Sequence, residues 1–201
     1  MLSQPLVSVV CTTYNHELYI RECLDGFVMQ RTNFPIEIIV HDDASTDSTA
    51  AIVKEYEKKH PHLFNNIYRT ENWYSQGKDI LGYLFTQKAR GKYIALCEGD
   101  DYWIDPLKLQ KQVDFLEYNT DYSMSHTNNI CYDQKKKTFI HDVCEYKKNE
   151  ISNGLTCEDI IRYPRIVMTL TVMIRKSVYD LVNNSDSFIF NSGNFLLGDV
   201  P

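Results

Sequence analysis

The chain has 201 residues, 43% of them apolar and 24% charged, and a net charge of −6. This composition excludes a disordered chain and fits one domain with a sizeable core. It offers no basic footprint for nucleic acid, and no run nears the roughly 20 apolar residues of a membrane span. Taken in order, Leu6 to Cys11 is apolar and β-branched and reads as a buried strand. Thr12 to His16 is a polar loop. Ile20, Leu24, Phe27 and Val28 then recur at helical spacing, which predicts an amphipathic helix over 17–29. Ile36 to His41 reads as a second strand. Asp42 to Asp47 is a loop rich in helix-capping residues, and a helix over 48–59 stops before Pro61. A short strand over 66–69, a loop over 72–78 and a helix over 80–89 follow. Tyr93 to Cys97 is the next apolar strand. Asp105-Pro106 opens a helix running to about Tyr118, with Leu109, Val113 and Leu116 inward.

The first half thus alternates strand and helix four times. That pattern predicts a parallel, Rossmann-like sheet with right-handed crossovers. In the second half, 122–126 reads as a strand and 127–154 as a polar, Lys-rich stretch with Lys135 to Lys137 in a solvated turn. Val167 to Ile174 alternates like a strand, and 177–182 is a short helix. The six cysteines are scattered without a CxxC pair, so structural zinc is not expected, and Cys11 and Cys97 read as buried free thiols. The start shows no signal peptide, which suggests a cytoplasmic protein with reduced thiols. The sequence stops after an apolar patch, and the native chain is expected to continue past Pro201.

Three polar loops follow three strands that the pattern makes parallel, so all three lie on one edge of the sheet. That edge is where open α/β sheets bind ligands. One loop brings hydroxyls and Tyr14, the second the pair Asp42 and Asp43, the third Glu98, Asp100 and Asp101. Carboxylates this close repel unless water or a divalent cation neutralises them. No GxGxxG or GxxxxGK[ST] cradle is present. A diphosphate bound here therefore needs a cation, and hard oxygen ligands favour Mg²⁺ or Mn²⁺.

The stretches Leu6 to Asn15, Ile38 to Asp47 and Ala89 to Trp103 together resemble family 2 glycosyltransferases of the GT-A fold. The likeness spans essentially the whole chain, with the motifs in the family's order and spacing. It implies one αβα domain over 1–201 with a mixed, mostly parallel sheet. Residues 1–120 would form the nucleotide-sugar half and 121–201 the acceptor half. It further implies an inverting, metal-dependent transferase. The donor would be a nucleoside-diphosphate sugar, a UDP-sugar foremost. The acceptor would be a saccharide or lipid-linked group in surface polysaccharide or lipopolysaccharide synthesis, reached at the inner membrane face. By the resemblance, Thr12 and Tyr14 contact the base, with Tyr14 stacking on it. Asp43 binds the base edge, Asp42 supports its loop and Arg69 reaches the nucleotide. Asp100 and Asp101 form the DxD-type metal and ribose site, and Asp199 is the general base. The family's leading Asp is Glu98 here, one methylene longer.

Simpler readings stand beside these. Thr12 and Asn15 serve as helix caps, Asp43 as a turn residue, Asp199 as an Asx turn. Trp103 reads foremost as packing under the acidic loop. His16 and His41 flank the crevice without metal-ligand spacing, and Thr169 and Thr171 share one strand face that would line the acceptor side. Two other classes compete. A nucleotidyltransferase would want a Gly- and basic-rich loop after the first strand, which is missing. A non-catalytic nucleotide-sugar binder would bind donor without turning it over.

Overall fold

The computed structural model describes residues 4–140 and 167–184. Strands Val7–Thr13 (β1), Ile36–Asp42 (β2), Ile67–Tyr68 (β3) and Tyr93–Leu96 (β4) pair in parallel. Met124–His126 (β5), Cys131–Asp133 (β6), Thr138–Ile140 (β7) and Val172–Arg175 (β8) follow. The main sheet has the order β3-β2-β1-β4-β8-β5, and β8 runs antiparallel to both neighbours. The sheet is mixed and mostly parallel. β1 and β2 are buried along nearly their whole length, as expected in a sheet covered on both faces, and the two polar side chains inside these apolar strands are paired: Ser8 Oγ donates to Glu37 Oε1 (2.6 Å) and Arg90 binds Glu37 Oε2 (2.7 Å).

Helices cover both faces. Ile20–Val28 (α1), Thr49–Lys59 (α2) and Lys108–Tyr118 (α4) pack one side, over Val7, Val9, Cys11, Ile38, Val40 and Tyr93. Ile80–Tyr83 (α3) continues into a π-helical turn, Leu84–Lys88, and covers Val10, Ile39 and Ile94 on the other side, with Tyr179 of Lys176–Asn184 (α5) packed against the same cluster. α1 starts three residues later than its hydrophobic spacing predicts. The preceding residues are drawn elsewhere: Glu17 N donates to Asp47 Oδ2 and Ser48 N donates to Glu17 Oε2.

Three further differences come from side-chain chemistry. Residues 131–140 form a hairpin, with Lys135 to Lys137 at its turn as expected and Lys137 at φ 52°. The stretch predicted as a strand from Val167 opens instead as a 3₁₀ turn, Thr169–Thr171. Met168 O accepts from both Thr171 N (2.9 Å) and Thr171 Oγ1 (2.6 Å), which closes the turn. Thr171 is therefore buried and satisfied while Thr169 is exposed, so the two threonines do not share a face. Helix α4 begins at Lys108, and Asp105 Oδ1 accepts from Leu107 N in the turn before it.

Candidate functional site

β1 lies between β2 and β4, so the strand order reverses at β1, with β2 and β3 added on one side and β4 on the other. A crevice opens beyond the carboxyl ends at such a reversal. Backbone bonds tie the three flanking loops together there: Asp43 N donates to Thr13 O (2.9 Å) and Gly99 N donates to Thr12 O (3.0 Å). Side chains lace the first two loops. Asn15 N donates to Ser45 Oγ, Thr46 N to Asn15 Oδ1 and His16 N to Thr49 Oγ1, all at 2.8–2.9 Å. Asn15 and Ala44 are held at φ 56° and 64°, a region costly for residues with a Cβ. The cross-bracing offsets that cost and leaves a rigid rim.

One end of the crevice is built from β2 and β3. Asp42 is buried at the end of β2; its Oδ2 accepts from Ser45 N (3.3 Å), and burial pushes its carboxyl pKa up. Asp43, 4% exposed, accepts from Trp73 N (2.8 Å) and Tyr74 N (2.9 Å), one bond per oxygen. Those bonds start the 3₁₀ turn Tyr74–Gln76 and place Trp73. The Arg69 guanidinium lies 3.3 Å from the Trp73 ring centroid and 4.7 Å from that of Tyr83, and its Nε donates to His41 Nε2 (3.1 Å). The roles of Trp73 and Tyr83 in setting Arg69 are not signalled by sequence spacing. Tyr14 stands 44% exposed on the rim, and Thr12 is half-buried.

His41 carries a consequence for stability. It is fully buried, and burial and the Arg69 charge hold its pKa down to about 4, against 6.5 when free. Accepting the Arg69 N–H also requires a neutral ring. The unfolded chain thus takes up this proton first, and stability falls as pH drops from about 6.5 toward 4. In urea melts at pH 7 and 4.5, His41→Gln should lose about 2 kcal/mol less than the parent chain. Equal losses would remove His41 as the cause.

The other end joins β1 to the loop after β4. Asp100 is exposed and Asp101 half-buried; the Asp101 pKa is raised by burial and by the Asp100 charge, and His16 opposes the shift. Burial first, then the Asp101 charge, push Glu98 up to about 7. The loop is fixed from beneath. Trp103 is buried, its Nε1 donates to Leu170 O (2.8 Å), and its ring packs edge-on against Phe27 at 4.8 Å. Trp103 is thus a packing residue under the loop. Gly26 admits it: a Cβ there would lie 2.9 Å from Trp103 N and O. Cys11, Cys23 and Cys97 below are buried free thiols, with Cys11 and Cys23 Sγ 4.0 Å apart.

Five buried side-chain atoms have no hydrogen-bond partner among the described residues: Thr13 Oγ1, His16 Nδ1, His41 Nδ1, Asp42 Oδ1 and Arg69 Nη2. All five belong to the ends of β1, β2 and β3 or the residues just beyond them. Buried polar atoms are otherwise nearly always paired, so this clustering points to a ligand. Among the described residues no three His, Cys, Asp or Glu side chains converge to hold an ion by themselves. The pair Asp100 and Asp101 still fits Mg²⁺ or Mn²⁺, which complete their shells with water and substrate phosphates. Two hollows at the opposite edge, of about 610 and 780 Å³, are weaker sites. Three of the basic side chains on their rims are paired with carboxylates, Arg90 with Glu37, Lys92 with Glu117 and Lys176 with Asp180. Asp199 lies outside the described residues.

A glycosyl transferase family 2 model matches residues 8–179. The uncharacterized protein Mb1547 of Mycobacterium bovis is 41% identical over 164 residues, 80% of this chain and 46% of that protein. A Bacillus subtilis protein, TuaG, whose name assigns it to teichuronic acid biosynthesis as a glycosyltransferase, is 30% identical over 177 residues, 85% of this chain and 62% of its own. The chain thus spans about half to two-thirds of the length of these relatives. Among solved structures, S. aureus TarS 1–349 in complex with UDP-GlcNAc superposes with TM-score 0.60 at 24% identity, covering 88% of this chain and 47% of TarS. The mannosyltransferase PcManGT from Pyrobaculum calidifontis, in complex with GDP-Man and Mn²⁺, superposes at 0.58 and 20%, covering 89% and 47%. Among the described residues no helix is long and apolar enough to cross a membrane.

Proposed function

Because the chain belongs to glycosyl transferase family 2 and carries a GT-A sheet, mixed and mostly parallel, we propose that it moves a sugar from a nucleoside-diphosphate sugar to an acceptor hydroxyl with inversion. The observation that carries this reading is the cluster of unpartnered buried polar atoms along one strand edge, beside two carboxylate pairs. The half made by 1–120 binds the donor. Tyr14 stacks on the base, Thr12 and Asp43 contact it, Asp42 holds the Asp43 loop, and Arg69 reaches the nucleotide from its aromatic platform. Asp100 and Asp101 hold Mg²⁺ or Mn²⁺, with Asp100 also near the ribose. When bound, the cation supplies Lewis-acid stabilisation of charge on the departing diphosphate.

The acceptor half, 121–201, brings Asp199 as general base to the acceptor hydroxyl, which attacks from the face opposite the diphosphate. A UDP-sugar is the first donor to test, since TarS was solved with UDP-GlcNAc. The name of TuaG supports a role in polysaccharide synthesis, and the acceptor in this reading is a saccharide or lipid-linked group met at the cytoplasmic face of the membrane.

A thermal-shift panel of UDP-, GDP- and dTDP-sugars, with and without Mn²⁺, tests donor binding. A ligand that binds only the folded state stabilises it by about 2.7 kcal/mol at a hundred times its Kd. One base should shift the midpoint, and more so with Mn²⁺; no shift with any donor would overturn the reading. Asp199→Asn should lower turnover roughly a hundredfold with donor binding unchanged. Unchanged turnover would exclude Asp199 as the base.

A further inference from the structure

The hairpin β6–β7 takes no part in the site described above, yet it leaves the main sheet beside that site. β5 is antiparallel to β8, and β8 is antiparallel to β4, so β5 runs in the direction of β4. Its last residue, His126, therefore lies at the same edge as the loops that carry Asp43 and Asp101. Backbone fixes that exit. Thr127 N donates to Thr171 O (3.2 Å), next to Leu170, whose carbonyl holds Trp103 under the acidic loop. The chain enters β6 at Cys131, four residues further on.

Among the described residues β6 and β7 pair only with each other. Tyr132 stands opposite Phe139, so the two rings share one face, 5.1 Å apart. Neither is covered: Tyr132 is 42% exposed and Phe139 57%, and Ile130 and Ile140 beside them are exposed too. At the tip, Lys135, Lys136 and Lys137 all reach solvent. Lys136 faces Asp133 at 3.6 Å, and among the described residues Lys135 and Lys137 have no carboxylate partner. The turn itself is held by other atoms, since Lys135 N and Lys136 N each donate to Asp133 Oδ1 at 3.0 Å. The ammonium groups are therefore not what shapes it.

An apolar face that ends in a basic tip suits a bilayer with anionic headgroups. Lysines meet the phosphates while tyrosine and the apolar side chains enter the headgroup layer. A saccharide would want hydrogen-bonding groups around the rings, and Phe139, Ile130 and Ile140 supply none. The net charge of −6 sharpens the contrast. An anionic surface repels the body of the chain and attracts this tip, so contact is oriented. We propose that the hairpin 131–140 docks on an anionic phospholipid surface and brings the neighbouring crevice up to it. The inference rests on the reading above, in which the acceptor is met at a membrane, and names the element that makes the contact.

The test is co-sedimentation of the full chain with vesicles, one set of equal parts phosphatidylglycerol and phosphatidylcholine, the other of phosphatidylcholine alone. The chain should sediment with the first set and not with the second. Salt at about 1 M, which shortens the screening length to about 3 Å, should release it. A lysine near an anionic surface contributes about fivefold in affinity. Lys135→Gln combined with Lys137→Gln should therefore weaken binding roughly twenty- to thirtyfold. Phe139→Ser should weaken it roughly tenfold, through apolar area withheld from the bilayer. Both variants should keep the parent's thermal shift with donor, because the hairpin lies outside the half 1–120. Equal sedimentation with both vesicle sets, or parent-like binding by the double lysine variant, would overturn the proposal. So would failure to sediment with either set, and a dimer in solution that Phe139→Ser abolishes would then assign the face to a second copy. Each of these failures leaves the donor shift in place and spares the nucleotide-sugar reading, which falls only if the parent shows no shift with any donor. The lysine changes leave both bonds to Asp133 untouched, so they keep the test decisive should Phe139→Ser fail to fold.

Discussion

Asp101→Ala is expected to lower transfer from the donor by about a thousandfold while leaving the melting midpoint of the metal-free protein unchanged or slightly higher. The two halves of that result have one cause. Asp101 is half-buried next to Asp100, and both burial and the neighbouring charge disfavour its ionised form. Without a cation, the pair is a local electrostatic cost, and deleting one member relieves it. In the proposed function the same pair holds the cation. Loss of several kcal/mol of charge stabilisation on a leaving diphosphate corresponds to about three orders of magnitude in rate. The readouts are donor turnover across an Mn²⁺ titration and thermal melts with and without Mn²⁺. Mn²⁺ should raise the midpoint of the parent chain and not that of Asp101→Ala. Full turnover in the variant, with nucleotide binding still dependent on Mn²⁺, would place the metal elsewhere. A residue whose removal costs activity but not stability is kept for function.

The parts of this fold that were legible in sequence are those set by local pattern. β1, β2 and β4 read as strands because a sheet covered on both faces demands short, predominantly apolar and β-branched runs. Alternation with helices then placed three loops on one edge, and the structure joins those loops through Asp43 N to Thr13 O and Gly99 N to Thr12 O. What was not legible depends on non-local contact. The insertion of β8, antiparallel, between β4 and β5 is a pairing across some 80 residues with no local mark. The 3₁₀ turn at Thr169–Thr171 follows from a threonine hydroxyl competing for a backbone carbonyl, against the alternating pattern. The π-helical turn at Leu84–Lys88 breaks a helix that periodicity would leave regular.

The candidate site divides the same way. Asp42, Asp43, Asp100 and Asp101 were visible as acidic pairs after apolar runs. His16 and His41 were visible only as histidines near the crevice. Their meaning comes from an unpartnered nitrogen in each, and for His41 from Arg69, 28 positions away in the chain. Trp73 and Tyr83 were unreadable, since their part is to hold Arg69, and nothing in spacing links the three.

That arrangement makes Asp43 the residue whose loss should reach furthest. Asp43→Ala is expected to weaken nucleotide binding by roughly a thousandfold and to lower stability by about 3 kcal/mol. The carboxylate is buried and accepts two backbone N–H groups, from Trp73 and Tyr74. Hydrogen bonds to a charged group contribute about 1.5–3 kcal/mol each, and alanine leaves both amides without their acceptor. The 3₁₀ turn then loses its start, Trp73 leaves the Arg69 guanidinium, and the nucleotide loses Asp43 and the positioning of Arg69 together. Those losses couple, so the affinity should fall further than truncating Arg69 alone would cause. Asp43→Asn separates the parts. Its single amide oxygen can serve one of the two amides, while its NH₂ opposes the other, so stability should fall about half as far. Urea melts and calorimetry with the nucleotide that the parent chain binds read both quantities. Lost stability with full nucleotide affinity would reduce Asp43 to an anchor of its loop. Lost affinity with full stability would show that the Trp73 turn stands without it, and that the carboxylate faces the base directly.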